Sequence, residues 1–344
     1  MIKKMYSTGK GVISMKVTIR DVAKEAGVSP STVSRVLSNN ERISQETKQK
    51  VKEAIKKLNF KPNAIARSLA NNKTQTLGII LPNEIENTFA NPFFIQVMQG
   101  ISLYATQHHY YLMYAVAKDK KDELKYVKDF TLNGRVDGIV ILKAESQDHT
   151  IELLKEMTFP FVVIGHPEDT DTILWVDNDN ESATYQVVDE LIKSGHKHIG
   201  FIGAKIDWVV SKDRLEGYKK ALRDNQIVYD EALVYHGTGF DERTGEEGAK
   251  VLLSKKELTA ILTTDDLIAV GVNLYCNENG KDGKVLIGFN NTVIGQYQNP
   301  PISSIDIQAV KLGWYASKLL INQLEGKEQK NKHYIVETEW IKRK

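Results

Sequence analysis

The residue types best suited to chemistry in this chain recognise ligands; none of them is arranged to break bonds. Arg35 can hold a guanine edge through two hydrogen bonds, worth about 1–3 kcal/mol of discrimination, whereas Ser31 can contact most bases and reads weakly. Asp265 and Asn290 each follow an apolar run that reads as a strand, and open α/β sheets place ligands at that edge. The amide of Asn290 can both donate and accept, which suits vicinal hydroxyls. Asp265 is equally well placed to cap the helix predicted after it. Phe93, Trp208 and Phe240 offer flat aromatic faces on which an apolar ring face could stack, although any one of them alone is more often core packing. Catalytic patterns are missing: there is no G-x-S-x-G, no G-x-x-x-x-G-K, no H-E-x-x-H, and no pair of carboxylates suited to glycoside hydrolysis. His196 and His198 stand two apart without a third ligand nearby in sequence, and His108 and His109 are adjacent, so a metal site is not expected.

Arg35 can reach a base only if a helix carries it into a groove. Ile19, Val22, Ala23 and Ala26 make one apolar stripe at helical spacing, and Val33, Val36 and Leu37 make a second. Gly27 can take positive φ in the break between them, Ser29 can cap the next helix, and Pro30 suits its first turn. Two short helices with a small residue at their crossing and a tight turn form a helix-turn-helix, whose second helix enters the major groove. Ser44 to Thr47 opens a third helix bearing Val51, Ala54, Ile55 and Leu58, ending near Asn59. Asn63 can cap a further short helix with Ala64, Ile65, Ala66, Leu69 and Ala70, too brief to be stable alone in water. It reads as a linker that orders when something binds it.

Charge separates this head from the rest. Residues 1–73 hold 16 Lys and Arg against 5 Asp and Glu, leaving 30 against 39 for the remainder, although the whole chain is only +2. A local excess of that size neutralises phosphates, while the acidic remainder is repelled by DNA. Cys276 is the single cysteine, which excludes an intrachain disulfide and fits a reducing, cytoplasmic compartment. No run reaches the roughly 18 apolar residues of a membrane span. Residues 1–15 carry no pattern that fits the fold and read as a flexible extension or an upstream start.

From residue 76 the texture becomes a parallel βα series. Strands are predicted at 76–82, 110–116, 137–142 and 160–164, with helices near 92–108, 121–132 and 148–157. The pattern restarts with a helix from Asp177 to Ser194, strands at 198–202, 232–235, 259–262 and 284–288, and helices at 210–224, 240–254 and 265–278. A strand at 302–306, a helix at 307–324 and a strand at 333–338 are expected to cross between two lobes. The fold class is therefore α/β: an all-α head and a linker helix ahead of a two-lobed core with parallel sheets.

Several runs closely resemble the LacI/GalR family of bacterial repressors: Val17-Thr-Ile-Arg-Asp-Val-Ala-Lys-Glu-Ala-Gly-Val-Ser-Pro-Ser-Thr-Val-Ser-Arg-Val-Leu37, Leu58-Asn-Phe-Lys-Pro-Asn-Ala-Ile-Ala-Arg-Ser-Leu69, Asn91-Pro-Phe-Phe94, Arg214-Leu-Glu-Gly-Tyr218 and Ile287-Gly-Phe-Asn-Asn291. Asn290 stands where that family usually has Asp; with the Pro300 to Asp306 run, this is similar to the maltose-operon repressors of Gram-positive bacteria. The resemblance implies a helix-turn-helix domain at 16–62, a hinge helix at 63–75 and a periplasmic-binding-protein-like core at 76–344. Its first lobe is expected at about 76–176 and 306–326, and its second at about 177–305 and 327–344. The implied partners are a pseudo-palindromic double-stranded operator, a saccharide effector such as maltose or a related glucoside, and a second copy of the chain, with no membrane and no cofactor. Pro30, Ser31 and Arg35 are implied as base readers. Thr18, Ser29, Thr32, Ser34 and Asn39 suit phosphate or sugar contacts. Leu69, flanked by small Ala66, matches an apolar lever pushed between base steps of the minor groove. Arg214, by spacing alone a helix-surface arginine, is implied as a fork for sugar hydroxyls. A global carbon-catabolite regulator of the same family, binding a phosphorylated protein corepressor, is the alternative.

Overall fold

A computed structural model of the chain describes residues 17–37, 40–60, 73–81, 91–254, 258–281 and 283–343. They divide into two compact units, Met1–Lys73 and Thr74–Lys344. Residues 1–15, Asn39, Ala66, Leu69 and nearly all of the expected hinge helix lie outside the described residues.

In the first unit α1 (Ile19–Ala26), α2 (Pro30–Leu37) and α3 (Gln45–Leu58) enclose Val22, Ala23, Val33, Val36, Val51 and Ala54. The helix ends follow from local chemistry. Thr18 and Asp21 form a reciprocal capping box at the start of α1. Gly27 closes it at φ 67°, a left-handed conformation that favours glycine. Ser29 Oγ accepts from the Thr32 N–H at 3.1 Å, Ser44 Oγ from the Thr47 N–H at 3.3 Å, and Asn59 ends α3 at φ 48°. Leu37, expected in the second apolar stripe, is instead exposed: one residue past Val36 on the last turn of α2, it has rotated off the buried face.

The second unit holds two six-stranded sheets. The first contains β1 (Thr76–Leu81), β2 (Tyr111–Val116), β3 (Gly138–Ile141), β4 (Phe161–Ile164) and β5 (Leu174–Asp177), with β11 (His333–Ile335) at one edge, all parallel. The second contains β6 (Ile199–Gly203), β7 (Val234–His236), β8 (Ala260–Thr263), β9 (Val285–Phe289) and β10 (Ser303–Asp306) in parallel, closed by antiparallel β12 (Glu339–Ile341). Strands β3, β4 and β8 are buried along their whole length, as parallel strands covered by helices on both faces must be. Among the described residues no helix is long and apolar enough to cross a membrane.

Two features depart from the sequence reading. Leu174–Asp177 is a strand, whereas a helix was expected to open at Asp177; the helix, α7 (Asn180–Lys193), starts three residues later, capped by Asp179. The expected 327–344 segment of the second lobe is split. His333 pairs with Trp175 in the first sheet, their rings stacked 4.5 Å apart, and only β12 joins the second sheet. Both pairings are tertiary, so neither leaves a periodic signal in the sequence.

The chain crosses between lobes three times, after Asp177, Asp306 and Ile335. The Asn178 side chain joins the crossings: its Nδ2 donates to the carbonyls of Ile307 at 3.0 Å and Val336 at 2.8 Å.

Helices meet across these sheets through glycine. A Cβ on Gly313 of α12 (Ala309–Leu324) would stand 2.0 Å from the Val97 carbonyl of α4 (Pro92–Gln107), and one on Gly100 of α4 would stand 1.9 Å from the Val310 carbonyl. Alanine gains up to about 1 kcal/mol of helix propensity over glycine, but here it must push two backbones apart. Gly313→Ala is expected to lower stability by about 1–3 kcal/mol net, read as a lower urea midpoint with unchanged slope. A midpoint at or above the parent's would contradict this packing.

Candidate functional site

The C-terminal edges of both sheets face one cleft. Leu142 to Ala144, Ile164, Gly165, Asp177 and Asn178 reach it from the first sheet, and Asp265, Asn290 and Ile307 from the second. The cleft encloses about 810 Å³ of empty space, the open solvent at its mouth included. Phe93, Trp208, Arg214, Phe240, Asp265 and Asn290, scattered over nearly 200 positions of sequence, all line it.

Arg214 lies on α8 (Val209–Asp224), and only 4% of it is exposed, so it is no surface arginine. Its Nε donates to Asn180 Oδ1 at 2.9 Å and its Nη1 to the Thr264 carbonyl at 2.6 Å, while the guanidinium carbon lies 3.9 Å from the Phe289 ring centre. Among the described residues these bonds use two of the five N–H donors of the guanidinium. Burial draws the Arg214 pKa down to about 10 against the opposing pull of Asp177, Asp265, Asp213 and Asp266, so the group stays charged at neutral pH.

Asp265 combines both of its expected geometries. Its Oδ1 accepts from the Leu267 N–H at 2.7 Å, capping α10 (Asp266–Glu278), and its Oδ2 accepts from Asn91 Nδ2 at 3.2 Å and Asn290 Nδ2 at 2.6 Å inside the cleft. Burial and the adjoining Asp266 push this carboxyl up to about 8, while Leu267, Asn91 and Arg214 hold it down. Near neutrality it can therefore accept as a carboxylate or donate as an acid. Asn290 sits at φ 90° with its backbone N–H donated to the Ile305 carbonyl at 2.8 Å. One N–H of its side-chain amide is given to Asp265, and the amide keeps a second N–H and an acceptor oxygen. Trp208 and Phe240 stack at 5.0 Å and 30°, making an aromatic wall, and Phe93 stands edge-on to Phe94 at 5.2 Å.

Asn91, Lys143, Asp177 and Asn178 line the same cavity and were not singled out from sequence. The signal for two of them was present in the Asp177-Asn178-Asp179-Asn180 run, but it marks a strand end only once Leu174–Asp177 is known to be a strand. Asp266, also missed, is structural: it accepts from Ser304 Oγ at 2.7 Å and Thr292 Oγ1 at 2.8 Å, packed where a side chain on Gly288 would collide with it.

In the head, α2 presents Pro30, Ser31, Ser34 and Arg35 to solvent, with Thr32 half-buried. Ser29 Oγ lies 2.8 Å from Ser31 Oγ and 2.9 Å from Thr32 Oγ1, and Thr18 Oγ1 donates to Asp21 Oδ2 at 2.7 Å. Thr18 and Ser29 thus cap the two helices that form the turn.

Comparisons decide what these two units are. The family of bacterial regulatory proteins named lacI matches residues 18–63, and a periplasmic binding protein-like domain matches 188–344. The HTH-type transcriptional regulator MalR of Streptococcus pneumoniae serotype 4 is 40% identical over 303 residues, 87% of this chain and 90% of that protein. The chain belongs to the lacI family. It is a DNA-binding transcriptional regulator and not an enzyme, with the helix-turn-helix as its DNA-binding part. Among solved structures, the lac repressor dimer bound to operator and the anti-inducer ONPF matches with a TM-score of 0.79 at 25% identity, over 96% of this chain and 98% of that one. The complex of the transcriptional regulator CelR with cellobiose matches with a TM-score of 0.74 at 25% identity, over 95% and 99%.

A titrating contact also bridges the lobes of this lacI-family core. His166 Nδ1 lies 3.1 Å from Oδ2 of Asp177 and 3.5 Å from Oδ2 of Asp213 on α8. The hydrogen bond to Asp177 raises the His166 pKa, burial opposes it and Asp213 adds to it; burial pushes Asp213 itself up to about 6. A histidine raised in the folded state stabilises it most below the ordinary histidine value, and the gain fades as pH climbs through the raised one. The parent's stability advantage over His166→Asn is therefore expected to be larger at about pH 6 than at about pH 9, compared by urea midpoints. An advantage that grew with pH would contradict the assignment.

Proposed function

We propose that this regulator is a repressor of saccharide-utilisation genes, bound as a homodimer to a pseudo-palindromic operator and released by maltose or a related glucoside. The observation that carries the reading is the convergence in one cleft of the buried Arg214, the Asn290 amide, the Asp265 carboxyl and the Trp208–Phe240 wall. Polar groups together with an aromatic face suit a ring with apolar faces and a hydroxylated rim. The likeness to MalR and to a cellobiose-bound regulator supports the same class of ligand. A dimer is supported by the large apolar side chains left exposed on both lobes, Leu103, Tyr111 and Tyr114 on the first and Leu274, Val293 and Tyr297 on the second. A two-fold pair of heads would read two half-sites. Regulation of transcription, together with the lone buried Cys276, supports a cytoplasmic location.

Two variants test the two ends separately. Arg35→Ala is expected to keep weak, salt-sensitive DNA binding while losing about 5- to 150-fold of its preference for operator over random DNA, the equivalent of one bidentate base contact. Undiminished discrimination in gel-shift competition would remove Arg35 from the reading helix. Arg214→Ala is expected to bind operator like the parent yet fail to release it when maltose is added. A parental response to maltose would remove Arg214 from the effector site.

A further inference from the structure

Trp208 does more than line the cleft. It lies at the N-terminus of α8 in the second lobe, and its indole Nε1 donates at 3.2 Å to Oε1 of Glu145, which follows β3 in the first lobe. The two residues also form an isolated antiparallel bridge. On either side of it the Val209 N–H donates to the Ala144 carbonyl at 3.2 Å, the Ser146 N–H to the Asp207 carbonyl at 3.4 Å, and Lys212 Nζ to Ser146 Oγ at 2.7 Å. Residues 144–146 and 207–209 thus run together as a short strand pair from lobe to lobe.

Glu145 is the charged centre of that pair, and only 6% of it is exposed. A carboxylate taken out of water persists only when its oxygens are filled by donors or cations. Here Lys143 Nζ lies 2.5 Å from Oε1 and Lys120 Nζ 2.7 Å from Oε2, with the indole N–H as third donor. Burial alone would raise the carboxyl, but the two lysines hold it down to about 2, so it is an ionised acceptor at any physiological pH. The indole it holds is the same ring that stacks on Phe240 in the cavity wall, and Lys143 and Ala144 line the cavity beside it. A single bond to the opposite lobe therefore constrains the plane on which a sugar ring would lie.

We propose that Glu145 is a positioning residue for the effector: acting through Trp208, it sets the stacking face from the opposite lobe and makes ring binding depend on the meeting of the lobes. The inference rests on the saccharide reading of the cleft. Linkage gives it a consequence: a sugar that stacks on the held indole stabilises the contact between lobes by as much as that contact favours the sugar.

The test uses the full-length protein labelled with 5-fluorotryptophan, together with calorimetry against maltose. The chain has 4 tryptophans, and Trp208→Phe, which keeps a ring but loses the N–H, assigns the Trp208 fluorine resonance by its disappearance. Glu145→Ala is expected to move that resonance while those of Trp175, Trp314 and Trp340 stay in place, and to weaken maltose binding about tenfold. Glu145→Gln, which retains an acceptor, should restore part of both. In the Trp208→Phe background Glu145→Ala should add little, because the two changes remove one interaction. An unmoved Trp208 resonance, or losses in affinity that simply multiply, would overturn the proposal. A structural role alone would shift all four resonances together, which would overturn it as well. If Glu145→Ala does not fold, the same spectra of Glu145→Gln decide. If the parent binds no maltose, the saccharide reading of the ligand fails, and the resonance alone then decides whether Glu145 orients the indole.

Discussion

The core depends on how its three lobe crossings are tied. One amide does this: Asn178, on the first crossing, donates to the carbonyls of Ile307 and Val336 on the other two, and the Val336 N–H returns a bond to the Asp177 carbonyl at 2.8 Å. Asn178 is itself buried, so each of these groups would lose a partner it could not replace with water if the amide were removed. A clamp at the crossings leaves lobe rotation about the clamp as the soft motion, in the manner of hinge closure. The cleft is the space that such a rotation opens or shuts. Glu145 with Trp208, His166 with Asp213, Asn91 with Asp265 and Ser146 with Lys212 face each other from lobe to lobe.

Burying charge is the cost of building the cleft this way. A guanidinium at 4% exposure with only part of its donors satisfied, next to a carboxyl raised to about 8, is a poor arrangement for stability alone. On the proposed saccharide reading, the hydroxyls of the ligand supply the missing partners. The neighbouring carboxylates divide the work. Asp266, locked by Ser304 and Thr292, holds the second sheet to the turn after β9, and Asp265 divides its oxygens between helix cap and cleft.

Much of this was legible before any coordinates, and unevenly so. The head follows from local chemistry: the capping box at Thr18, Gly27 in the left-handed region and Ser29 as a cap are each decided within a few residues, and the sequence shows them directly. Of the candidate cleft residues, Asp265 and Asn290 were legible because strand C-termini are where α/β folds put ligands, whereas Arg214 was legible through the family resemblance. What was hidden depends on partners distant in sequence. The strand at Leu174–Asp177 is too short to announce itself, so Asp177 and Asn178 were read as helix rather than as cleft and crossing. Glu145 carried no signal, because Lys120 and the Trp208 N–H that give it a role stand 25 and 63 positions away in sequence, and Lys143 two positions away marks neither a strand nor a helix. Leu37 shows the converse error, a helical period carried one residue too far.

The central claim is that occupancy of this cleft and grip on the operator are two ends of one equilibrium. Calorimetric titration of the full-length protein with maltose, alone and saturated with operator DNA, measures the coupling directly. If the cleft controls the head, operator weakens maltose binding by the same factor by which maltose weakens operator binding, a factor of about 5–150 for a coupling of about 1–3 kcal/mol. Identical isotherms in the two titrations, or tighter maltose binding on DNA, would contradict it.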